Sequence, residues 1–369
     1  MHRNMKKYIG LMSGTSLDGI DASIISTNGN ELDIQSLGQN FYQEYTAEIS
    51  QKIMEVINQG VKLEKILELE REITLLHAEV VVQIGKKFNI NLQDIEAIGF
   101  HGQTIFHNGE NKLTLQLGNG QLLSQILGVN VVYNFRQLDL IHGGQGAPLV
   151  PIYHLALVKA LNINTPVAFC NIGGVANITI IPNSQDLSLI SGDVGTGCAL
   201  INDLVLENFA LNYDNCGQLA AQGAVNLELV KKMVQNNEFF SAKFPKSLDR
   251  NHFKYILNLP EFSQLQPLDK IATMTYFTAK SIALHTPGDI TQLIIMGGGA
   301  KNHTIVQFLR SLLPMEIENI AHYGVPENYV ESQAFAFLAA RRLQNLPISF
   351  PGTTGVAQPI TGGIVIPKL

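Results

Sequence analysis

Cysteine is scarce in this chain. Its three cysteines, Cys170, Cys198 and Cys216, are too few and too far apart in 369 residues for a disulfide framework or a four-sulfur zinc site. That usage fits a reducing compartment, so a cytoplasmic location is expected. Charge is also sparse, at 15% of residues with 46% hydrophobic, against a usual charged share of about 25%. A disordered chain is therefore excluded for the bulk of the sequence. Basic runs are missing as well: 25 Lys and Arg face 31 Asp and Glu, for a net charge of −6. Without a dense cationic stretch to neutralise successive phosphates, nucleic acid is not an expected partner. No run of about 18 apolar residues occurs, so no membrane span is expected. The basic segment 1–7 meets Ser13, Thr15, Ser16 and Asp18 before a secretory apolar stretch could develop, so no signal peptide is expected either.

Glycine, in contrast, is plentiful, with 32 residues gathered into short groups: Gly10 to Gly19, Gly143 to Gly146, Gly173-Gly174, Gly192 to Gly197, Gly297 to Gly299, and Gly352 to Gly363. The sequence between them is varied and apolar, which points to ordered turns and not to a flexible linker. Tyr8 to Met12 and Ile20 to Ile25 read as strands joined by the polar turn Ser13-Gly14-Thr15-Ser16-Leu17-Asp18-Gly19. About 160 residues later, Val167 to Ile172, Gly173-Gly174 and Val175 to Ile181 read as strand, glycine turn, strand again. Helices are predicted over Glu64 to Phe88, Pro151 to Leu161, Asp269 to His285 and Glu331 to Gln344, and further strands over Ile95 to Phe100, Leu113 to Leu117, Val129 to Tyr133 and Gln292 to Met296. The two strand-turn-strand units suggest two related α/β domains facing one cleft, although no residue-level repeat joins the halves.

Two common phosphate motifs fail on spacing. Gly85-Lys86 has Val80 where a P-loop needs its first glycine, and no strand opens into G-x-G-x-x-G. Turns carrying Ser, Thr and Asp stand in their place, at Ser13 to Gly19 and at Gly192-Asp193-Val194-Gly195-Thr196-Gly197. Backbone N–H groups and hydroxyls in such turns can cradle phosphate oxygens, and adjacent carboxylates can hold Mg²⁺ through water or take a proton. Taken singly, each turn is equally well an ordinary hairpin.

Gly10-Leu11-Met12-Ser13-Gly14-Thr15-Ser16-Leu17-Asp18-Gly19-Ile20-Asp21 resembles the signature of the anhydro-N-acetylmuramic acid kinases. Gly99 to His107, Asn134 to Asp139 leading into Gly143 to Pro151, Asn171 to Asn177, Pro245-Lys246-Ser247, Gly297 to Asn302 and Glu331 to Ala336 resemble other segments of that family, so the likeness runs nearly end to end. It implies the two-domain α/β fold of actin, sugar kinases and Hsp70, which is ribonuclease H-like, with an interdomain ATP and substrate cleft. The expected domains are 1–140, joined by the returning segment 350–369, and 141–349. It also implies a reaction: ATP and water convert 1,6-anhydro-N-acetylmuramic acid to N-acetylmuramic acid 6-phosphate and ADP, in recycling of cell-wall sugar. A homodimer is an expectation of the resemblance alone.

The same likeness implies residue roles. Asp193 takes the general-base position, activating the water that attacks C1 while the released C6 oxygen receives the γ-phosphoryl group; on sequence alone a helix-capping aspartate is the alternative. Gly14, Thr15, Ser16, Leu17, Asp18, Gly19, Ile20 and Asp21 match the phosphate loop for ATP, with Asp18 the candidate to hold Mg²⁺ through a water. Gly173, Gly174 and Gly195 join them, and Gly297, Gly298 and Gly299 are placed near the nucleoside. His101, Arg136, Asp139 and Glu331 are expected to bind the sugar, and a planar guanidinium at Arg136 suits the lactyl carboxylate. His101 and His107 can equally be structural histidines, and no close His/Cys set points to zinc. The chain departs from the family pattern at Gly192, Thr196 and Cys198, where Phe, Pro and Asn are frequent, at Asn134, and in Lys246-Ser247-Leu248-Asp249-Arg250 against the commoner K-S-T-G-R. Two other readings are a kinase for a related sugar and a nucleotide-switched binding protein of the same fold, the latter with slow, sugar-independent ATP hydrolysis.

Overall fold

Apolar strands buried on both faces begin a hairpin-led sheet. In the computed structural model, which describes residues 5–14, 17–30, 34–58, 60–235 and 237–368, β1 (Lys6–Ser13), β2 (Gly19–Thr27) and β3 (Ile34–Glu44) pair antiparallel in sequence. Strand β4 (Ile95–Asn108) lies parallel to β1, β5 (Leu113–Leu117) turns back on β4, and β6 (Val131–Tyr133) extends the sheet parallel to β4. A C-terminal strand, Ile364–Ile366, closes the edge against β6. Side chains of a strand alternate between faces. Thus Ile9, Leu11, Ile20, Ala22, Ile24, Ile98 and Phe100 enter one core with Ile73, Val80 and Ile84 of the helix Leu63–Phe88. That helix stops where Asn89 takes the left-handed conformation at φ 53°.

The opposite face explains two of the glycines. Gly10 of β1 and Gly99 of β4 are register partners, and the helix Val330–Leu343 lies directly on them. A Cβ at Gly10 would stand 1.8 Å from the Ser332 carbonyl oxygen, and one at Gly99 would stand 2.0 Å from that of Phe335. Only a bare backbone lets this helix approach so closely.

A second sheet follows the same plan. Strands β7 (Val167–Ile172), β8 (Val175–Ile181) and β9 (Ile190–Thr196) are antiparallel, while β10 (Gln292–Met296) and β11 (Glu316–Asn319) add in parallel on the other side of β7. The order β9-β8-β7-β10-β11 repeats β3-β2-β1-β4-β6 in both sequence and sense. The two-domain α/β class implied by the resemblance is therefore the observed one, and the paired strand-turn-strand units are its topological duplicates.

The chain divides into Met1–Ile163 with Tyr323–Leu369, and Asn164–His322. These limits differ from 1–140 with 350–369 and 141–349, because Val330–Leu343 packs on β1, β2 and β4 and Pro151–Ala160 packs against that helix and β3. The second core combines Ile172, Ile178 and Val194 with Met274, Phe277 and Ile282 of the helix Pro267–His285. One segment read as a turn, Gly192 to Gly197, is a strand through Thr196. Its glycines serve packing: a Cβ at Gly192 would meet the Lys246 carbonyl oxygen at 2.8 Å, and one at Gly195 the Ser281 Cβ at 2.5 Å.

Candidate active site

In the first unit the polar turn after β1 is pinned from beneath. The buried Ser13 hydroxyl contacts the Gly19 carbonyl at 3.2 Å and the Tyr45 hydroxyl at 2.8 Å, and donates to Gln103 Oε1. Gln103 Nε2 in turn donates to the Gly14 carbonyl at 3.2 Å. The Asp18 carbonyl accepts from the Tyr45 N–H at 2.9 Å and the Tyr42 hydroxyl at 2.8 Å. Leu17 and Ile20 contribute side chains to the apolar core, so only their backbone can face a ligand. Thr15 and Ser16 lie outside the described residues. Gln103 carries no role in the sequence reading, although it stands inside a segment that resembles the family; a glutamine directly after Gly102 is the only local signal of its place beneath the turn.

Asp18 is exposed, Asp21 is half-buried in β2, and Glu331 occupies the first turn of Val330–Leu343. The three carboxyls are electrically coupled. Burial, reinforced by Asp18 and Glu331, pushes Asp21 up to about 8. Burial likewise raises Glu331, with the Arg136 guanidinium opposing the rise and Asp18 adding to it. Arg136 forks over the neighbouring loops: Nε and Nη2 donate to His101 Nε2 at 3.1 and 2.9 Å, and Nη1 donates to the Gly146 carbonyl at 2.8 Å. Because His101 Nδ1 gives its proton to the Gly102 carbonyl at 2.7 Å, Nε2 is the acceptor. Burial, with Arg136 beside it, holds this imidazole neutral, well below the usual histidine range.

Asp139 is held within its own unit. It is 1% exposed; Oδ1 accepts from the Gly146 N–H and Oδ2 from the Thr354 hydroxyl, each at 2.6 Å. Its carboxylate ties segment 143–146 to Pro351–Thr354, and through Gly146 it fixes the carbonyl that receives Arg136. His107 is a structural histidine on Thr114 Oγ1 at 3.0 Å, pushed down to about 4 by burial. Among the described residues, no group of three or more His, Cys, Asp or Glu is arranged to hold a metal ion.

In the second unit the structure gathers the predicted glycines at one end of the sheet. The β7–β8 turn accepts the N–H groups of Gly197, Cys198 and Ala199 on the Gly173 and Gly174 carbonyls at 2.8 to 3.2 Å. After β10, Gly297 at φ 79° comes so near Asn171 that a Cβ would stand 2.3 Å from its Oδ1. Gly299 is equally close to Ile172, whereas Gly298 is exposed with nothing within 4 Å of a Cβ. Asp193 projects from β9, so it is not a helix cap; Cys198 occupies that position for Ala199–Phe209. Asp193 Oδ2 accepts the Leu248 N–H at 2.6 Å, and its own N–H donates to the Lys246 carbonyl at 2.8 Å. Cys198 is no nucleophile, since burial beside Asp214 raises its thiol to about 12.

The model of the family described as anhydro-N-acetylmuramic acid kinase matches residues 6–368. The chain belongs to that family. An anhydro-N-acetylmuramic acid kinase of Rhodopseudomonas palustris strain HaA2 is 40% identical over 372 residues, covering 98% of this chain and 99% of that protein. One from strain BisB18 is 42% identical over 367 residues, covering 96% and 98%. A Nitrobacter winogradskyi protein of the same name is 38% identical over 372 residues, covering 98% and 99%. The matched span includes every family segment read from the sequence. One departure from the family pattern has a physical counterpart, since a Cβ at Gly192 would stand 2.8 Å from the Lys246 carbonyl oxygen.

Proposed function

We propose that the protein phosphorylates 1,6-anhydro-N-acetylmuramic acid with ATP while water opens the anhydro bridge, giving N-acetylmuramic acid 6-phosphate and ADP. The observation that carries this reading is Asp193. In a chain matching the family from residue 6 to 368, its half-buried carboxylate is held by the Leu248 N–H on β9, the strand that runs into the glycine-rich turn at Gly197. Asp193 takes the proton of the attacking water; the C1–O bond breaks, and the C6 oxygen takes the γ-phosphoryl group. Arg136, braced on His101 and Gly146, receives the lactyl carboxylate, and Glu331 contacts the sugar. Asp139 acts one step back, by holding the loop that holds Arg136. Gly14 and Asp18 to Asp21 serve the phosphates, while Gly298, open on its surface side, leaves room for a flat base.

Asp18, exposed at the end of the turn after β1, is the carboxylate proposed to face a divalent cation. Mg²⁺ held there through water would neutralise phosphate charge. Three free cysteines, Cys170, Cys198 and Cys216, fit work in a reducing cytoplasm, where recycled cell-wall sugar would be the supply.

The test is incubation with Mg-ATP and 1,6-anhydro-N-acetylmuramic acid, followed by mass spectrometry. The expected product is heavier than the sugar by one phosphoryl group plus one water. No product at high enzyme concentration overturns the proposal, and a phosphorylated product that keeps its anhydro ring overturns the coupled mechanism. Asp193→Asn keeps the side-chain shape and an acceptor for Leu248 but loses the base, so kcat should fall by about 10²- to 10⁴-fold with ATP affinity unchanged.

A further inference from the structure

The segment that aims Asp193 is itself held by a buried ammonium. Lys246 is 9% exposed; its Nζ donates to the Phe239 carbonyl at 2.6 Å and lies 2.7 Å from His285 Nε2. His285 Nδ1 gives its hydrogen to the Ser281 carbonyl at 2.8 Å, which leaves Nε2 as acceptor and fixes the tautomer. Nζ also sits 4.0 Å from the centroid of the Phe239 ring and 5.5 Å from that of Phe244, a cation–π arrangement. Burial keeps His285 neutral, pushed down to about 4. It also lowers Lys246 to about 8, against the pull of Asp193.

The backbone of this one lysine reaches the proposed base. The Lys246 carbonyl accepts the Asp193 N–H at 2.8 Å, and two residues later the Leu248 N–H donates to Asp193 Oδ2 at 2.6 Å. Gly192 makes the approach practicable, since a Cβ there would stand 2.8 Å from the Lys246 oxygen and 3.0 Å from its nitrogen. A charged side chain is costly to bury unless its donors are met. Here two of the three are met by the Phe239 carbonyl and His285 Nε2, on elements separate from β9, and the charge lies over the Phe239 ring, so the ammonium locks segment 246–248 in one place.

We propose that Lys246 is a positioning residue for Asp193: captured by the Phe239 carbonyl and His285 Nε2, it fixes the backbone that clamps both the main chain and the carboxylate of Asp193. The inference rests on the reading of Asp193 as general base. Displacing a reacting group by about 1 Å costs on the order of 10²-fold in rate, which sets the scale of the effect.

The experiment is steady-state kinetics on the anhydro sugar and ATP for wild type, Lys246→Met, Asp193→Asn and the double variant, with folding followed by circular dichroism. Lys246→Met should lower kcat by about 10- to 100-fold and leave both KM values within about threefold. The double variant should be no slower than Asp193→Asn alone, because one change acts through the other. Lys246→Arg should recover part of the loss. A wild-type kcat for folded Lys246→Met, with Asp193→Asn inactive, overturns the positioning role and leaves the reading of Asp193 intact. Full turnover in Asp193→Asn overturns that reading itself. Additive losses in the double variant also overturn the proposal, since Lys246 would then act elsewhere. Should Lys246→Met fail to fold, His285→Phe, which fits the aromatic surroundings and removes the acceptor, should lower kcat about fivefold; an unchanged kcat overturns the proposal.

Discussion

Replacing Asp21 with asparagine should stabilise the protein increasingly as pH rises from 5 to 8. Asp21 sits in β2 between Met12 of β1 and Tyr42 of β3, with Asp18 and Glu331 as like-charged neighbours. Its carboxyl is pushed from the ordinary 3.8 up to about 8, first by burial and then by those charges. In the unfolded chain it returns to about 3.9. Between these values the folded protein holds a proton that the unfolded chain has released, so stability falls as pH rises. Below about 4 both states are protonated and the group contributes nothing; above about 8 both are ionised and the whole loss has occurred. At about 1.36 kcal/mol per pH unit, the three units from pH 5 to 8 set an upper figure of about 4 kcal/mol. Glu331 is raised as well, so part of the titration belongs to the pair, and residual solvent softens it further; about 1 to 3 kcal/mol is the expected change. Asparagine has the same shape and cannot ionise. Urea unfolding of wild type and Asp21→Asn at pH 5, 6.5 and 8 reads the difference directly, with the contributions of other groups cancelling between the two proteins. Parallel pH profiles would refute the argument that burial and two neighbouring carboxyls keep Asp21 protonated.

Two other perturbations follow from the first unit. Gly99→Ala places a Cβ 2.0 Å from the Phe335 carbonyl oxygen, a main-chain atom that cannot rotate away, and should cost about 3 kcal/mol or more. Gly38→Ala meets nothing within 4 Å and serves as the control; equal melting temperatures for the two variants would refute the close helix approach. Arg136→Ala should raise the apparent KM for the sugar far more than that for ATP, and equal rises would remove Arg136 from the sugar site.

Much of the fold was legible because hairpins and long amphipathic helices announce themselves locally. The pairs β1–β2 and β7–β8 and the helix Leu63–Phe88 follow from apolar periodicity and glycine turns. Strand β9 did not, because Gly192, Asp193 and Gly195 look like a turn. Their reason for being small is tertiary, namely the Lys246 backbone and Ser281 pressed against them. The same limit applies to side-chain roles. Asp139 and Glu331 are both acidic residues in segments resembling the family, and no local pattern tells them apart. The distinction lies in Gly146 and Thr354, which occupy both oxygens of Asp139 from 7 and 215 positions away.

The abundance of glycine resolves into two physical causes. At Gly10, Gly99, Gly192, Gly195, Gly197, Gly297 and Gly299, other protein atoms fill the place a Cβ would take, so these residues are demanded by packing whatever the protein binds. Gly298 differs, because nothing lies within 4 Å of its Cβ position and it faces solvent. Packing gives no reason for glycine there, and its φ is not in the left-handed range that favours glycine. Gly298 is therefore the one glycine of the Gly297–Gly299 run that packing within the fold does not demand. The glycines that resemble the family most closely thus divide: most shape the sheets, and one leaves its turn uncovered.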